Sequence, residues 1–221
     1  MKRVSSWWAP DADTKSVTII IQESSRIPRY LRHVPEDRRR TCVQAGGHVG
    51  IYPTILAEHF DNVLTFEPEP ENWECLKANL DERVQHDRIK AIGMALSLEQ
   101  DCGVMVRDAN EVKNYGASYF SNSLKGAEKA HVTECVALDD VIGPMQDIGF
   151  IMLDIEGAEH KALMGAVATL ARCKPILALE MKALGRRYGS SNEDLNQWLY
   201  GQGYSEIDRI GNDRVYRHRG L

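Results

Sequence analysis

The chain has 221 residues, with 27 lysines and arginines against 32 aspartates and glutamates, and a formal charge of −5. That length predicts one sizeable α/β domain with a well-buried core, and the slight acidity gives no overall attraction to nucleic acid or anionic lipid. No apolar stretch approaches the length of a membrane span, and the first sixteen residues lack the apolar core of a secretion signal. The five cysteines are scattered without a CxxC pair and the seven histidines show no HExxH spacing. Reduced thiols in a cytoplasmic setting and no metal are therefore expected.

Residues 1–40 read as an N-terminal arm carrying Trp7 and Trp8, a strand at Val17–Gln22, and an arginine-rich stretch from Arg26 to Arg40. Residues 41–221 read as the main domain. Its first strand is Thr41–Ala45, followed by a helix over Ile51–Phe60 whose Pro53 sits in the first turn, where a missing N–H is tolerated. Val63–Glu67 is a second buried strand. Pro70 opens a helix in which Trp73, Leu76 and Leu80 share a face, and Ile89–Ala95 is a third strand. Short β-like pieces at Gly103–Val106 and Val132–Val136 flank Asn114–Leu124, rich in Gly, Ser and aromatics, which suits a loop over a site. Regularity returns with a strand within Asp147–Asp154, a helix over Glu159–Arg172, a strand at Pro175–Glu180, a helix at Glu193–Gly201, and closing strands near Tyr204–Asp208 and Arg214–Arg217. Such alternation predicts a mostly parallel sheet with helices on both faces.

The segment Val43–Gly50 (VQAGGHVG) runs from strand into a glycine-rich turn, and Glu67 ends the next strand about 20 residues later. Glycines let the backbone turn sharply and approach a ligand, and an acid there can bond both hydroxyls of a ribose. The glycines are spaced G-G-x-x-G, not GxGxxG; His48 lies within the turn and Pro53 removes a donor just beyond it. A dinucleotide pyrophosphate fits this turn less well than S-adenosylmethionine, whose amino acid end needs only backbone carbonyls and amides. Alternatively, Gly46, Gly47 and Gly50 merely make a tight strand-to-helix turn.

VQAGGHVGIYP (43–53), TFEPEPENWECLKANL (65–80), AIGMALS (91–97), VALDDV (136–141), FIMLDIEGAEHKAL (150–163) and ILALEMK (176–182) together resemble the FkbM family of S-adenosylmethionine-dependent methyltransferases. The resemblance covers about Thr41 to Tyr204, in order, and rests most on FEPEPEN and LDIEGAE. It implies a class I methyltransferase (Rossmann-like) fold with seven strands, the last antiparallel, and usually O-methylation. Gln44, His48 and Lys182 stand where the family usually has Asp, Asn and often His. Without that Asp a negative charge near the cofactor's ammonium and sulfonium is missing, although Gln44 can still hydrogen-bond the amino acid end.

In a parallel sheet the ligand lies beyond the carboxyl ends of the strands, where strand order reverses. The expected cofactor contacts are Gln44, Ala45, Gly46, Gly47, His48, Gly50, Glu67, Pro68, Met94, Ala95 and Asp154, with Met94 and Ala95 receiving the adenine. Asp154, Glu180 and His48 are the candidates for acceptor contact or base catalysis. Each has a plainer alternative: Asp154 or Glu156 caps the helix starting near Ala158, Glu180 is a polar strand end, and His48 bonds locally. Met94 and Ala95 can be core, Asn72 a helix cap, and Glu159 a complement to a helix dipole, with His160 and Lys161 on the solvated side. The arginine stretch suits either a phosphate-bearing acceptor or a solvated face. The leading reading is methyl transfer from S-adenosylmethionine to a hydroxyl of a sugar, glycan or related small metabolite. A non-catalytic S-adenosylmethionine-binding or assembly protein is the alternative, and an NAD-dependent oxidoreductase the weaker one. Neither nucleic acid nor membrane is expected as a partner, and a homo-oligomer is compatible with the sequence.

Overall fold

The computed structural model describes residues 1–83, 86–108, 118–120, 127–144 and 147–221. At the N-terminus, β1 (Lys2–Val4) and β2 (Trp7–Ala9) form an antiparallel hairpin. The expected strand at Val17–Gln22 is instead a helix, α1 (Ser16–Glu23). Its β-branched run favours a strand locally, but Val17, Ile20 and Ile21 follow i, i+3, i+4 spacing and pack with Val49 and Ile51. The Asp13 carboxylate also accepts from the Ser16 and Val17 amides at the helix start. Tertiary packing and this cap override propensity.

The arginine stretch runs through a short helix, α2 (Ile27–Leu31), and is largely spent on the chain itself. Arg26 pairs with Glu23, Arg32 with Asp208 and Arg40 with Asp61. Arg38 donates to the Cys173 carbonyl and Arg39 to those of Leu31 and Val34.

The central sheet begins with β3 (Thr41–Ala45), α3 (Ile51–Leu56), β4 (Asn62–Phe66), α4 (Pro70–Asp81) and β5 (Ile89–Ile92). The third strand stops earlier than its apolar run suggests. Gly93 lies against the Trp73 ring, and the chain bends away so that β6 (Ala95–Ser97) joins a second sheet with β7 (Asp101–Asp108), β8 (Tyr119–Phe120) and β9 (Ala127–Ala137). Most of the expected loop at Asn114–Leu124 lies outside the described residues; Ser118 and β8 lie within them.

The central sheet resumes after α5 (Leu138–Val141) with β10 (Ile148–Leu153). The single helix expected over Glu159–Arg172 is two, α6 (Glu159–Met164) and α7 (Val167–Cys173). A Cβ on Gly165 would lie 2.1 Å from the Ser97 carbonyl oxygen, so the break allows a close backbone approach. The Asp139 carboxylate then accepts from the Ala168 and Thr169 amides that the break leaves free. Next come β11 (Ile176–Glu180), α8 (Asn192–Gly201), β12 (Tyr204–Ile210) and β13 (Asp213–His218).

The seven strands lie in the order β12-β13-β11-β10-β3-β4-β5, and only β13 runs against the others. Alternation divides the apolar side chains between two cores. Val43, Leu64, Ile151 and Leu177 face α6, α7 and α8, whereas Cys42, Val63, Phe150 and Ala178 face α2, α3 and α4. Burying each such leucine, isoleucine or phenylalanine stabilises by roughly 1.5–3 kcal/mol. None of the described helices is long and apolar enough to cross a membrane.

The N-terminal arm is docked on α4 and the segment after it. Arg3 stacks on the Trp8 ring at 4.0 Å and Arg83 on Trp7 at 3.7 Å. Asn79, fully buried in α4, accepts from the Trp8 amide at 2.7 Å and donates to the carbonyls of Trp8 and Val49 at 2.9 and 2.8 Å. Asn79→Ala leaves these backbone groups without partners and is expected to cost about 2–4 kcal/mol. A urea titration followed by tryptophan fluorescence checks this, and a loss below about 1 kcal/mol would show the bridge to be unimportant.

Candidate active site

Strand order reverses between β10 and β3: the chain proceeds to β4 and β5 on one side and to β10 and β11 on the other. A cleft opens there, across the carboxyl ends of β5, β4, β3 and β10. It has about 1040 Å³ of empty space, its open mouth included, enough for a ligand of cofactor size.

The turn after β3 forms its floor. Gly46 has φ +84°, and a Cβ there would lie 2.0 Å from the Asp154 carbonyl oxygen, so only glycine fits between β3 and β10. The Gly46 and Gly47 amides both donate to the Phe66 carbonyl, and Gly50, at φ +94°, starts α3. His48 is also left-handed, at φ +49°.

Glu67 follows the end of β4 and is 5% exposed. One carboxylate oxygen accepts from the His48 amide at 2.6 Å, the other from the Glu69 amide at 2.9 Å. Burial pushes its pKa up to about 7 against the pull of these bonds. Glu67 thus braces the turn as well as lining the cleft. Glu69 caps α4 by accepting from the Asn72 amide, and Asn72 also lines the cleft.

Of the residues expected at the cofactor, Ala45, Gly46, His48, Glu67, Pro68, Met94, Ala95 and Asp154 share this one wall. Gln44, Gly47 and Gly50 are not on it. Gln44 is fully buried beneath the turn, donating to the Gly46 carbonyl and accepting from the Thr65 hydroxyl. A Cβ on Gly47 would meet Thr65 and Leu76 within 3 Å. These three residues build the turn from below.

Asp154 extends β10 by donating its amide to the Ala45 carbonyl, and its half-buried side chain faces the cleft. α6 has Ala158 at its N-cap position, with no side-chain cap hydrogen bond there. Glu159 reaches back instead, accepting from the Ile155 and Gly157 amides, with burial pushing its pKa up to about 7. His160 is not on the solvated side; its ring is half-buried, bonded to Ser190 and packed on Trp198. Lys161 is exposed, its ammonium 5.5 Å from the Tyr188 ring.

Glu180 lies off the main cleft, in a side pocket that shares Glu23, Tyr52, Asp154 and Lys182 with it. Burial and the Asp154 carboxylate push the Glu180 pKa up, opposed by its ion pair with Lys182. Glu180 in turn holds the Lys182 ammonium protonated. Oxygens of Asp154, Glu156 and Glu180 lie within 4.8 Å of one another, close enough to hold a cation. At the pocket's other side Tyr30 donates to Asp213, whose pKa burial pushes up to about 6.

Several wall residues gave little signal in the sequence. Ser16, Ile19, Ile20 and Glu23 reach the cleft only because α1 is a helix packed over the turn, and Tyr52 because α3 starts there. Tyr119 of the second sheet and Tyr188 close other sides. His48 lines the cleft while its Nε2 sits 2.9 Å from the Ser16 hydroxyl, and burial lowers its pKa to about 4.

The sequence profile described as the methyltransferase FkbM domain matches residues 44–206. No curated protein sequence matches the chain. Among solved structures, methyltransferase FkbM from Methylobacillus flagellatus KT superposes with a TM-score of 0.56 at 17% identity, covering 95% of this chain and 56% of that one. The chain therefore spans little more than half of that relative's length. N-methyltransferase NodS from Bradyrhizobium japonicum WM9, solved with S-adenosyl-L-homocysteine, superposes with a TM-score of 0.52 at 10% identity, covering 93% and 89%. These likenesses establish the class I methyltransferase fold. With the profile spanning most of its length, the chain belongs to the FkbM methyltransferase-domain family.

Proposed function

We propose that this chain transfers a methyl group from S-adenosylmethionine, the cofactor of its family, to a hydroxyl of a sugar, glycan or related small metabolite. The observation that carries this reading is the shared wall formed by Met94–Ala95, by Glu67–Pro68, by Ala45, Gly46 and His48, and by Asp154 at successive strand ends. Adenine lies along the first pair, ribose at Glu67, the amino acid end over the turn, and the acceptor beside Asp154. Methyl transfer from a sulfonium needs chiefly alignment, which can supply roughly 7–11 kcal/mol of the barrier. Asp154 is placed to accept the hydroxyl proton as the methyl arrives. The carboxylates and the Lys182 ammonium of the side pocket offer acceptors and donors together, which suits a polyhydroxylated acceptor better than an apolar one.

The test is incubation with a labelled methyl donor and a panel of sugars, glycans and amines. Label on oxygen is expected. Tight S-adenosylhomocysteine binding with no label transfer to any acceptor would favour a non-catalytic binder, and NAD binding alone would remove the methyltransferase reading.

Asp154→Asn is expected to lower turnover by about 100-fold or more while S-adenosylhomocysteine affinity stays within about threefold. Normal turnover would release Asp154 from any role in the chemistry.

Glu67 generates a pH dependence. Its carboxylate form accepts the ribose hydroxyls, and with a pKa near 7 that form is lost as pH falls. S-adenosylhomocysteine affinity should therefore drop about tenfold between pH 8 and pH 6. Glu67→Gln should bind more weakly at pH 8 and show a flat profile. Calorimetric titrations across this range check both, and a profile unchanged by the substitution would assign the titration to another group.

A further inference from the structure

Charge is unevenly spread over the cleft. Among the described residues its wall carries four acids, Glu23, Glu67, Asp154 and Glu156, and one cation, Lys182. Glu67 is held by the His48 and Glu69 amides, and Glu23 by Arg26. Glu156 has Arg187 3.9 Å away, a guanidinium that also stacks on the Tyr119 ring at 4.1 Å. The Asp154 carboxylate has neither a hydrogen bond nor an ion pair among the described residues.

Behind these groups lies Glu180, 6% exposed, which gives one oxygen to Lys182 while Oε2 is buried without a hydrogen-bond partner. Oxygens of Asp154, Glu156 and Glu180 approach within 4.8 Å of one another. In the side pocket beyond, Arg26 is matched by Glu23 and Asp213 and adds no surplus cation. One ammonium and one distant guanidinium therefore face three clustered carboxylates, and this end of the cleft is short of positive charge. The backbone keeps the cluster together against that repulsion. Glu156 is left-handed at φ +56°, and a Cβ on Gly157 would lie 2.5 Å from the Leu184 carbonyl carbon, so the two loops are in close contact. Uncompensated carboxylates in a part-buried site attract a cation more strongly than they would in open water.

We propose that the Asp154–Glu156–Glu180 cluster distinguishes the two forms of the cofactor by charge, favouring the sulfonium of S-adenosylmethionine over the neutral thioether of S-adenosylhomocysteine; this rests on the cofactor reading above. With ribose at Glu67 and the acceptor beside Asp154, the sulfur lies between them, within the field of the cluster. In the reaction the bond from sulfur to the methyl breaks and its electron pair stays on sulfur. The bond from oxygen to the methyl forms, and the hydroxyl proton passes to Asp154. The step thus cancels one negative charge of the cluster and removes the positive charge that it attracted. Methyl transfer itself weakens the hold on the spent cofactor and promotes its exchange for a fresh donor.

Calorimetric titrations of the whole chain with both ligands, at pH 8 with EDTA present, read the discrimination directly and need no acceptor. S-adenosylmethionine is expected to bind at least about 10-fold more tightly than S-adenosylhomocysteine. Equal affinities, or tighter binding of S-adenosylhomocysteine, would overturn the proposal. Sinefungin, which carries a protonated amine in place of the sulfonium methyl, separates charge from the bulk of the methyl. It should also bind more tightly than S-adenosylhomocysteine, and failure to do so would overturn the assignment to charge. These three titrations use the unaltered chain and depend on no variant's folding. Glu156→Gln and Glu180→Gln remove charge while keeping side-chain size. Each should narrow the ratio about threefold or more through S-adenosylmethionine alone, with S-adenosylhomocysteine affinity kept within about twofold. A ratio unchanged in both variants, or equal losses for the two ligands, would also overturn the proposal. If the unaltered chain binds none of the three ligands, the cofactor reading itself falls, an outcome distinct from the others.

Discussion

A single carboxylate, that of Glu67, holds the working end of this molecule together. Its oxygens take the His48 amide from the turn after β3 and the Glu69 amide from the start of α4. Two segments that would otherwise expose unsatisfied donors are thereby fixed at the tip of β4. Burying an acid so completely disfavours its charged form, and burial pushes the Glu67 pKa up against the pull of its hydrogen bonds. The same burial removes water as a competitor for the remaining lone pairs of a carboxylate already held in place.

Much of this arrangement was legible in the sequence because its chemistry sits at strand ends. Glu67, Asp154 and the Gly46 turn each follow an apolar run, and strand geometry brings such positions to one edge. Gln44 was legible as a residue type but not as a direction. Strand alternation sends it beneath the turn, where Gly46 and Thr65 use its amide. Ser16 and Glu23 were hidden for another reason. Val17–Gln22 reads locally as a strand, and only its packing with Val49 and Ile51 makes it part of the helix that brings these residues over the cleft.

The far end of the cleft has a different electrostatic character. Asp154, Glu156 and Glu180 gather beside the Lys182 ammonium, and Glu23, Arg26 and Asp213 continue the mixture into the side pocket. The opposite end, at Met94–Leu96 and Met105, is apolar. A ligand with a flat apolar ring at one end and a charged, hydrogen-bonding end at the other matches this gradient in one orientation only.

Asn79 joins two regions that are distant in sequence, gripping the backbone of Trp8 in the hairpin and of Val49 in the turn. Because all three bonds come from one amide in one buried position, movement of either partner is felt by the other. By thermodynamic reciprocity, whatever steadies the turn also slows opening of the hairpin, and loosening the hairpin weakens whatever the turn holds. The first ten residues are therefore a remote clasp on the cleft rather than a detachable ornament.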